Sequence, residues 1–246
     1  MDGSVLVTGA SRGLGAHIAR RLAADGWPVA VNYLPDRADA ERVVADIEAA
    51  GGRAAAFRAD VTDEAEVTAL VTAVESRLGP VAVLVPNATG PQPAIDAVDV
   101  TWQDHLDQLI FFVKSPTLLM RAIAPGMRER GGGRIIQIGS DLFERAAPGM
   151  SAYSAAKGAQ FSLTRTWARE LGPWGITVNV VAPGWIPVER HAGIDPEHVE
   201  DYRREVPLGR MGTPGEIADV VAFLASDGAR FITGERITVN GGHAMD

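Results

Sequence analysis

The chain has 246 residues, of which 46% are hydrophobic and 22% are charged, and its formal net charge at pH 7 is -8. This charge disfavours nucleic acids and anionic membrane surfaces as partners, because both are negatively charged themselves. The absence of cysteine excludes disulfide bonds and thiol chemistry, and the lack of a secretion signal or of an apolar run of ~20 residues predicts a cytoplasmic protein without a membrane span.

Short apolar runs alternate with amphipathic stretches along the chain. We predict strands at residues 5–8, 29–32, 54–57, 81–85, 134–138, 176–181 and 237–239. We predict helices at residues 14–24, 38–50, 64–78, 101–130, 152–171 and 214–225. The strand runs are continuously apolar, which is typical of a parallel sheet covered by helices on both faces. The alternation predicts an α/β fold with a doubly wound, seven-stranded parallel sheet, formed as a single domain over residues 1–246.

A glycine-rich turn, Thr8-Gly-Ala-Ser-Arg-Gly-Leu-Gly15, follows the first predicted strand. Glycines allow a backbone to approach a pyrophosphate closely, and the helix N-terminus that follows supplies free N–H groups. A tight strand-to-helix connection would also use glycine, but its place after the first strand favours a dinucleotide site. The candidate contacts in this turn are Gly9, Ser11, Arg12, Gly13, Leu14 and Gly15.

The residues after the second strand bear on the choice of dinucleotide. A site for NAD usually carries Asp or Glu there for the ribose 2′-hydroxyl, whereas this chain has Asn32-Tyr33-Leu34. Arg12 and Arg37 are candidates to pair with a 2′-phosphate. The pattern favours NADPH over NADH, although Arg12 could instead be a solvated surface charge.

The later strands also end in groups suited to a ligand site, which in such sheets lies beyond the carboxyl ends of the strands. These candidates are Asp60 and Val61 after the third strand, Asn87, Ala88 and Thr89 after the fourth, Ser140 after the fifth, and Pro183, Gly184 and Ile186 after the sixth. Asp60 could instead cap the next helix, and Asn87 could be a strut between backbone segments.

Tyr153 and Lys157 are spaced to lie on one face of a helix. A free phenol titrates near ~10, and a nearby cation lowers that pKa by favouring the phenolate. Arginine is the usual cation of this chain, since only Lys114 and Lys157 are lysines. Tyr-x-x-x-Lys also occurs by chance in many helices, so the pair gains its meaning from the candidate ligand groups around it.

Seven motifs of the chain resemble those of the short-chain dehydrogenase/reductase family. They are Thr8-Gly-x-x-x-Gly-x-Gly15, Asp60, Asn87-Ala88, Ser140, Tyr153-x-x-x-Lys157, Pro183-Gly184 and Asn240-Gly-Gly242. The resemblance covers nearly the whole chain and is closest to the single-domain branch that includes the 3-oxoacyl-(acyl-carrier-protein) reductases. It implies a Rossmann fold, NADPH as cofactor, and reduction of a ketone or imine in a small-molecule or acyl-carrier-bound substrate.

The resemblance also implies roles for the candidate catalytic residues. Tyr153 would give a proton to the carbonyl oxygen, or accept one from an alcohol in the reverse direction. Lys157 would hold the nicotinamide ribose and lower the Tyr153 pKa, and Ser140 would hydrogen-bond the substrate oxygen. Relatives are commonly tetramers and have a mobile substrate lid, so we expect a homotetramer or homodimer and a lid around residues 188–210.

No metal is required by this chemistry. The histidines are scattered and show no ligand spacing: His17, His105, His191, His198 and His243.

Three positions depart from the family pattern. Leu109 stands where the family usually has an Asn that helps to hold a proton-relaying water, and Thr89 and Val188 replace other usual residues. We therefore hypothesise that proton resupply to Tyr153 is altered, unless the relay is dispensable and Leu109 is a core residue. Pro116 lies in the same predicted helix and should kink it.

Two alternatives remain open from the sequence. One is an NAD-dependent alcohol dehydrogenase that runs the same site in the oxidative direction. The other is a catalytically weak nucleotide-binding regulator, which the three departures favour slightly and the retention of Ser140, Tyr153 and Lys157 opposes.

Overall fold

The computed structural model of the protein describes residues 3–189 and 193–245. Seven parallel strands form one sheet in the order β3-β2-β1-β4-β5-β6-β7. The strands are β1 Ser4–Val7, β2 Val29–Tyr33, β3 Ala54–Arg58, β4 Val81–Val85, β5 Gly133–Ile138, β6 Ile176–Pro183 and β7 Arg236–Val239. The predicted doubly wound parallel sheet is confirmed.

The helices alternate with the strands. They are α1 Gly13–Ala24, α2 Arg37–Ala49, α3 Glu64–Leu78, α4 Trp102–Leu109, α5 Ser115–Glu129, α6 Leu142–Arg145, α7 Ser151–Leu171, α8 Pro196–Glu205 and α9 Pro214–Ala225. A π-helical segment, Ile110–Lys114, joins α4 to α5. The short α6 was not predicted, because four residues carry no readable periodicity.

Two apolar cores cover the two faces of the sheet. Successive strand residues point to opposite faces, so Val5 and Val7 pack in one core with α1, α2 and α9. Leu6 of the same strand packs in the other core with α3, α5 and α7. This is why the strand sequences are apolar at every position.

The sheet reverses its winding direction at β1, which pairs with β2 on one side and β4 on the other. Connections on the two sides of this point run in opposite directions, which leaves a crevice beyond the carboxyl ends of β1 and β4. The glycine turn follows β1, so the fold places it in that crevice.

The predicted helix at residues 101–130 is not one α-helix. Pro116 has no N–H to donate to the carbonyl of Phe112, as an α-helix would require. The turn before the proline widens, and the N–H of Ser115 bonds to the carbonyl of Ile110, five residues earlier. The expected kink therefore takes the form of a π-helical segment, a feature frequent at functional sites.

The run Trp102–Glu129 is the one candidate within the described residues that is long and apolar enough, by length and composition alone, to cross a membrane. The sequence-based prediction contains no membrane span. Leu119, Ile123 and Met127 of this run are buried in the core beneath the sheet. The apolar side of α5 is therefore packed against the sheet within the protein core.

A charged capping box starts α9. The Glu216 carboxylate accepts the Thr213 N–H at 2.8 Å and pairs with the Arg210 guanidinium at 3.0 Å. Arg210 first, and then Thr213, lower the Glu216 pKa from 4.5 to about 2. A carboxyl group with a lowered folded-state pKa stabilises the fold above pH 4.5 and loses that contribution as the pH falls towards 2.

We predict that Glu216→Gln lowers the thermal unfolding midpoint at pH 7, and that the difference from wild type shrinks as the pH falls from 4.5 towards 2. Thermal unfolding followed by circular dichroism measures both. Glu48→Gln, on an exposed position of α2, is the matched control and should change little. An equal loss at every pH would show that the Glu216 charge is not the source of the stabilisation.

Candidate active site

A cavity of about 1040 Å³ opens at the carboxyl ends of the strands. It is large for a ligand pocket, since such pockets are typically about 300–1,000 Å³. Every predicted site residue lines it: Gly9, Ser11, Arg12, Gly13, Leu14, Gly15, Asn32, Asp60, Val61, Asn87, Ala88, Thr89, Ser140, Tyr153, Lys157, Pro183, Gly184 and Ile186. Residues distant in sequence are thus brought to one cavity.

The glycine turn has the shape needed to hold a phosphate group. Gly9 and Gly13 have φ angles of 59° and 55°, the left-handed region that favours glycine. A Cβ on Gly15 would lie 2.5 Å from both the Asn87 side chain and the Gly9 carbonyl. In the described structure no side chain caps the N-terminus of α1 and its first turn carries no acidic residue. Its N–H groups therefore suit a pyrophosphate.

Two asparagines act as struts for this turn. The buried Asn32 accepts the Gly9 N–H at 3.2 Å and donates to the Ala59 carbonyl at 3.1 Å. Asn87 donates to the carbonyls of Thr8 at 2.9 Å and Gly9 at 3.1 Å. The Asn87 side chain is therefore a strut between backbone segments, and the Asn32 side chain also holds the glycine turn.

The expected nucleotide-specificity region contains charges of both signs. Arg12 is 68% exposed and lies 3.7 Å from the Asp36 carboxylate, which also lines the cavity. Arg37 pairs with Glu41 along α2 and is not part of the lining. Arg12 therefore remains the candidate for a 2′-phosphate, while Asp36 is a carboxylate that the sequence reading did not include.

Asp60 shapes the turn after β3. Its carboxylate accepts the N–H and the hydroxyl of Thr62 at 2.8 Å and 2.7 Å. The cap of α3 is Asp63, which accepts the Glu66 N–H. The alternative that Asp60 caps the helix is therefore wrong, and its side chain fixes a turn at the cavity wall.

The three candidate catalytic side chains are nearly buried, with Ser140 and Tyr153 each 8% exposed and Lys157 5%. The Ser140 hydroxyl oxygen accepts the Leu142 N–H at 3.1 Å. Lys157 lies one turn after Tyr153 on α7, and its Nζ is 5.6 Å from the centre of the Tyr153 ring. The phenol and the ammonium share one cavity, as their spacing predicted.

Two neighbours of Lys157 were missed by sequence reasoning. Its Nζ donates to the Ile138 carbonyl at 2.7 Å and to Gln160 Oε1 at 3.2 Å, and it lies 3.7 Å from the centre of the Phe112 ring. The i to i+3 spacing could have suggested Gln160. Nothing local marks Phe112, because its contact depends on how the π-helical segment faces α7.

Aromatic residues also form part of the cavity wall. The backbone N–H of Trp185 donates to the Tyr202 hydroxyl at 2.7 Å. The Arg145 guanidinium lies over the Tyr202 ring, 5.4 Å from its centre. Burial raises the Tyr202 pKa, and the hydrogen bond from Trp185 opposes that shift. Tyr202 is therefore a neutral hydroxyl group at physiological pH that forms part of the wall.

The described residues show no group of three or more His, Cys, Asp or Glu side chains able to hold a metal ion. His191 and residues 190–192 of the expected lid lie outside the part of the chain that the structure describes.

Comparisons with known proteins identify the family. A family model described as "Enoyl-(Acyl carrier protein) reductase" matches residues 9–244. The 3-oxoacyl-(acyl-carrier-protein) reductase FabG of Staphylococcus aureus is 40% identical over 247 residues, which cover 100% of this chain and 99% of that protein. A short-chain dehydrogenase/reductase of Serratia marcescens, solved in mutant form, is 36% identical with a TM-score of 0.91, covering 99% of each chain. The chain belongs to the short-chain dehydrogenase/reductase family.

A further solved relative is a blue fluorescent protein from a metagenomic library in complex with NADPH. It is 40% identical, with a TM-score of 0.90 over 99% of each chain. The family resemblance and the fold predicted from the sequence are both confirmed. This short-chain dehydrogenase/reductase is an oxidoreductase.

We predict that Asn87→Ala weakens dinucleotide binding about 30-fold, the equivalent of about 2 kcal/mol. The change removes two hydrogen bonds to the glycine turn, each worth about 1 kcal/mol. Fluorescence titration with NADPH and with NADH measures the effect.

Asn179→Ala is the matched control, since Asn179 ties β6 to residues 232 and 235, away from the cavity lining. It should destabilise the fold without changing the dissociation constant. Equal weakening by both variants would mean that the loss is one of general stability.

Proposed function

We propose that the protein is an NADPH-dependent ketoreductase, with Tyr153 as the proton donor to a ketone or imine. The observation that carries this proposal is the presence of the glycine turn and of Ser140, Tyr153 and Lys157 in one cavity. The residues fit a dinucleotide, because the uncapped N-terminus of α1 can hold a pyrophosphate and the Tyr153 phenol lines the same cavity.

The chemistry required of the protein is proton delivery and charge stabilisation. The Tyr153 hydroxyl gives its proton to the carbonyl oxygen, while the Lys157 ammonium stabilises the phenolate that remains. Ser140 already accepts the Leu142 N–H, so its own proton can be donated to the substrate oxygen as negative charge develops there.

When bound, the nicotinamide supplies a hydride to the carbonyl carbon. The protein's own part in this reduction is the Tyr153 proton, which completes the alcohol at the carbonyl oxygen. Tyr153 must then recover a proton before the next turnover, and Leu109 offers no polar group for a relay. Leu109 packs against the cluster formed by Phe112, Tyr153 and Ala156.

NADPH is proposed over NADH on two grounds. Arg12 lines the cavity and its exposed guanidinium can turn from Asp36 towards a 2′-phosphate, and a structural relative is in complex with NADPH. Asp36 is the observation that favours the alternative, an NAD-dependent alcohol dehydrogenase, because a carboxylate there can accept from a ribose hydroxyl.

The substrate is proposed to be a small ketone or imine, with an acyl-carrier-bound 3-ketone as the second candidate. The relative from Staphylococcus aureus is named for acyl-carrier substrates. Basic residues at the end of α5, Arg128 and Arg130, could dock such a carrier, but both are engaged elsewhere. Arg128 stacks on Trp174 at 4.6 Å, and Arg130 donates to the Val81 carbonyl at 2.7 Å. That engagement favours the small substrate.

We also propose that residues 188–210 form the substrate lid of a single domain. Helix α8 supplies Tyr202 to the cavity wall and lies within this stretch, which suits a segment that closes over substrate.

A cytoplasmic homotetramer or homodimer without nucleic-acid or membrane partners is the assembly proposed. The support is charge and exposed apolar surface. The net charge is -8, and Phe231, Leu208 and Met245 are largely exposed. Strand β7 is at the edge of the sheet, where an unpaired strand favours association with another chain.

We predict that Tyr153→Phe lowers kcat at least ~100-fold, the scale of a lost general acid, while NADPH binding changes less than about threefold. The assay follows NADPH absorbance with a panel of small ketones and imines and an acyl-carrier-bound 3-ketone. An unchanged thermal midpoint would show that the fold is retained. A wild-type protein that binds NADPH but reduces no member of the panel would support the regulator alternative.

We predict that Arg12→Ala raises the dissociation constant of NADPH about tenfold, the loss of one charge-assisted contact, and leaves that of NADH within about twofold. Arg37→Ala is the matched control, because Arg37 pairs with Glu41 outside the cavity. If the two cofactors respond equally, Arg12 does not read the 2′-phosphate.

A further inference from the structure

We propose that Phe112 and Gln160 hold the Lys157 ammonium in its working position, and that the Phe112 ring shields one side of it from water. The inference rests on the proposed function for its catalytic meaning, because Lys157 acts there through Tyr153. Phe112 and Gln160 are thus positioning residues of the ketoreductase.

The contacts of the ammonium carry this proposal. Ile138 and Gln160 accept hydrogen bonds from Nζ at 2.7 Å and 3.2 Å, and the ring centre of Phe112 lies 3.7 Å away. An ammonium over the face of an aromatic ring within ~6 Å is attracted by the ring quadrupole, most strongly when water is excluded. Phe112 is 4% exposed and Gln160 2%, so both contacts are dry.

All three of these partners are neutral. A buried charge is costly unless its hydrogen-bonding capacity is used. A carbonyl, an amide oxygen and an aromatic face meet that need without adding a negative charge. These partners therefore do not neutralise the positive charge of the ammonium, which can act on the Tyr153 phenol beside it.

The π-helical segment sets the position of the ring. Phe112 lies in the middle of Ile110–Lys114, where the chain makes the wider turn that precedes Pro116. The same ring meets Tyr153 edge to face, with ring centres 5.3 Å apart. One side chain thus contacts both members of the proton-transfer pair.

The backbone beneath Gln160 is also fixed. Thr164 donates to the Gln160 carbonyl at 3.1 Å and accepts from Gln137 of β5 at 2.7 Å. These buried bonds tie α7 to the strand whose Ile138 carbonyl holds Nζ. The side-chain amide of Gln160 is therefore attached to a backbone that is held in place.

This arrangement bears on the hypothesis that Leu109 alters proton resupply to Tyr153. A polar residue at 109 could bring water towards Lys157 only where the Phe112 ring does not cover the ammonium. Leu109→Asn alone should therefore leave steady-state turnover near the wild-type value, whereas Leu109→Asn combined with Phe112→Ser should admit water.

The position of the ammonium can be tested without any substrate. The chain has two lysines, and Lys114 is exposed, so a protein labelled with ¹³Cε-lysine gives one buried signal and one internal reference. The ring current of Phe112 should shift the Lys157 ε-protons upfield of those of Lys114. Phe112→Leu should remove the shift, and Phe112→Tyr should keep it.

The catalytic consequence is tested by kinetics in the presence of NADPH. Phe112→Leu and Gln160→Met should each lower kcat about tenfold and change the KM for the ketone less than about threefold. Phe112→Tyr should retain most of the wild-type rate. Phe111→Leu is the matched control, because Phe111 neighbours Phe112 and packs against the same cluster, whereas it is the Phe112 ring that lies over the ammonium.

The outcomes separate the two proposals. An unshifted Lys157 signal in wild type, or equal kcat values for Phe112→Leu and Phe111→Leu, would overturn the positioning role. A shifted signal in a wild-type protein that reduces no ketone would contradict the proposed function and leave the ammonium held as described.

Discussion

The site depends on one constraint: a positive charge must be kept buried beside a phenol. Lys157 meets it with the Ile138 carbonyl, which belongs to the last residue of β5, and with an amide from its own helix. The same bond that stabilises the charge therefore joins the end of the sheet to α7. Tyr153 lies one turn earlier on α7, so the bond that fixes this part of the helix also fixes the position of Tyr153.

The sheet topology makes this constraint useful. Because the winding direction reverses at β1, the glycine turn after β1 and the serine after β5 open onto the same crevice. Asn32 and Asn87 hold the turn from opposite sides. Polar side chains that a motif search would assign to the ligand are thus partly occupied in shaping the backbone around it.

Much of the fold and the site could be predicted because their signals are local. Continuous apolar runs mark the buried strands, and the spacing of Tyr153 and Lys157 marks one face of a helix. The Phe112 ring on Lys157 could not be predicted, since it arises where two segments distant in sequence pack together. Pro116 showed that a backbone bond is lost, but the sequence alone does not reveal that the preceding turn would widen. Asp36 was missed because it lies four residues beyond the end of the predicted strand.

The two lysines differ in their surroundings, and this has a practical consequence. Lys157 is enclosed by the site, whereas Lys114 lies exposed on the π-helical segment. An amine-directed reagent would thus meet one accessible side-chain target within the described residues. Covalent attachment to a support through Lys114 would use the exposed side-chain amine and leave the enclosed Lys157 amine in the site unmodified.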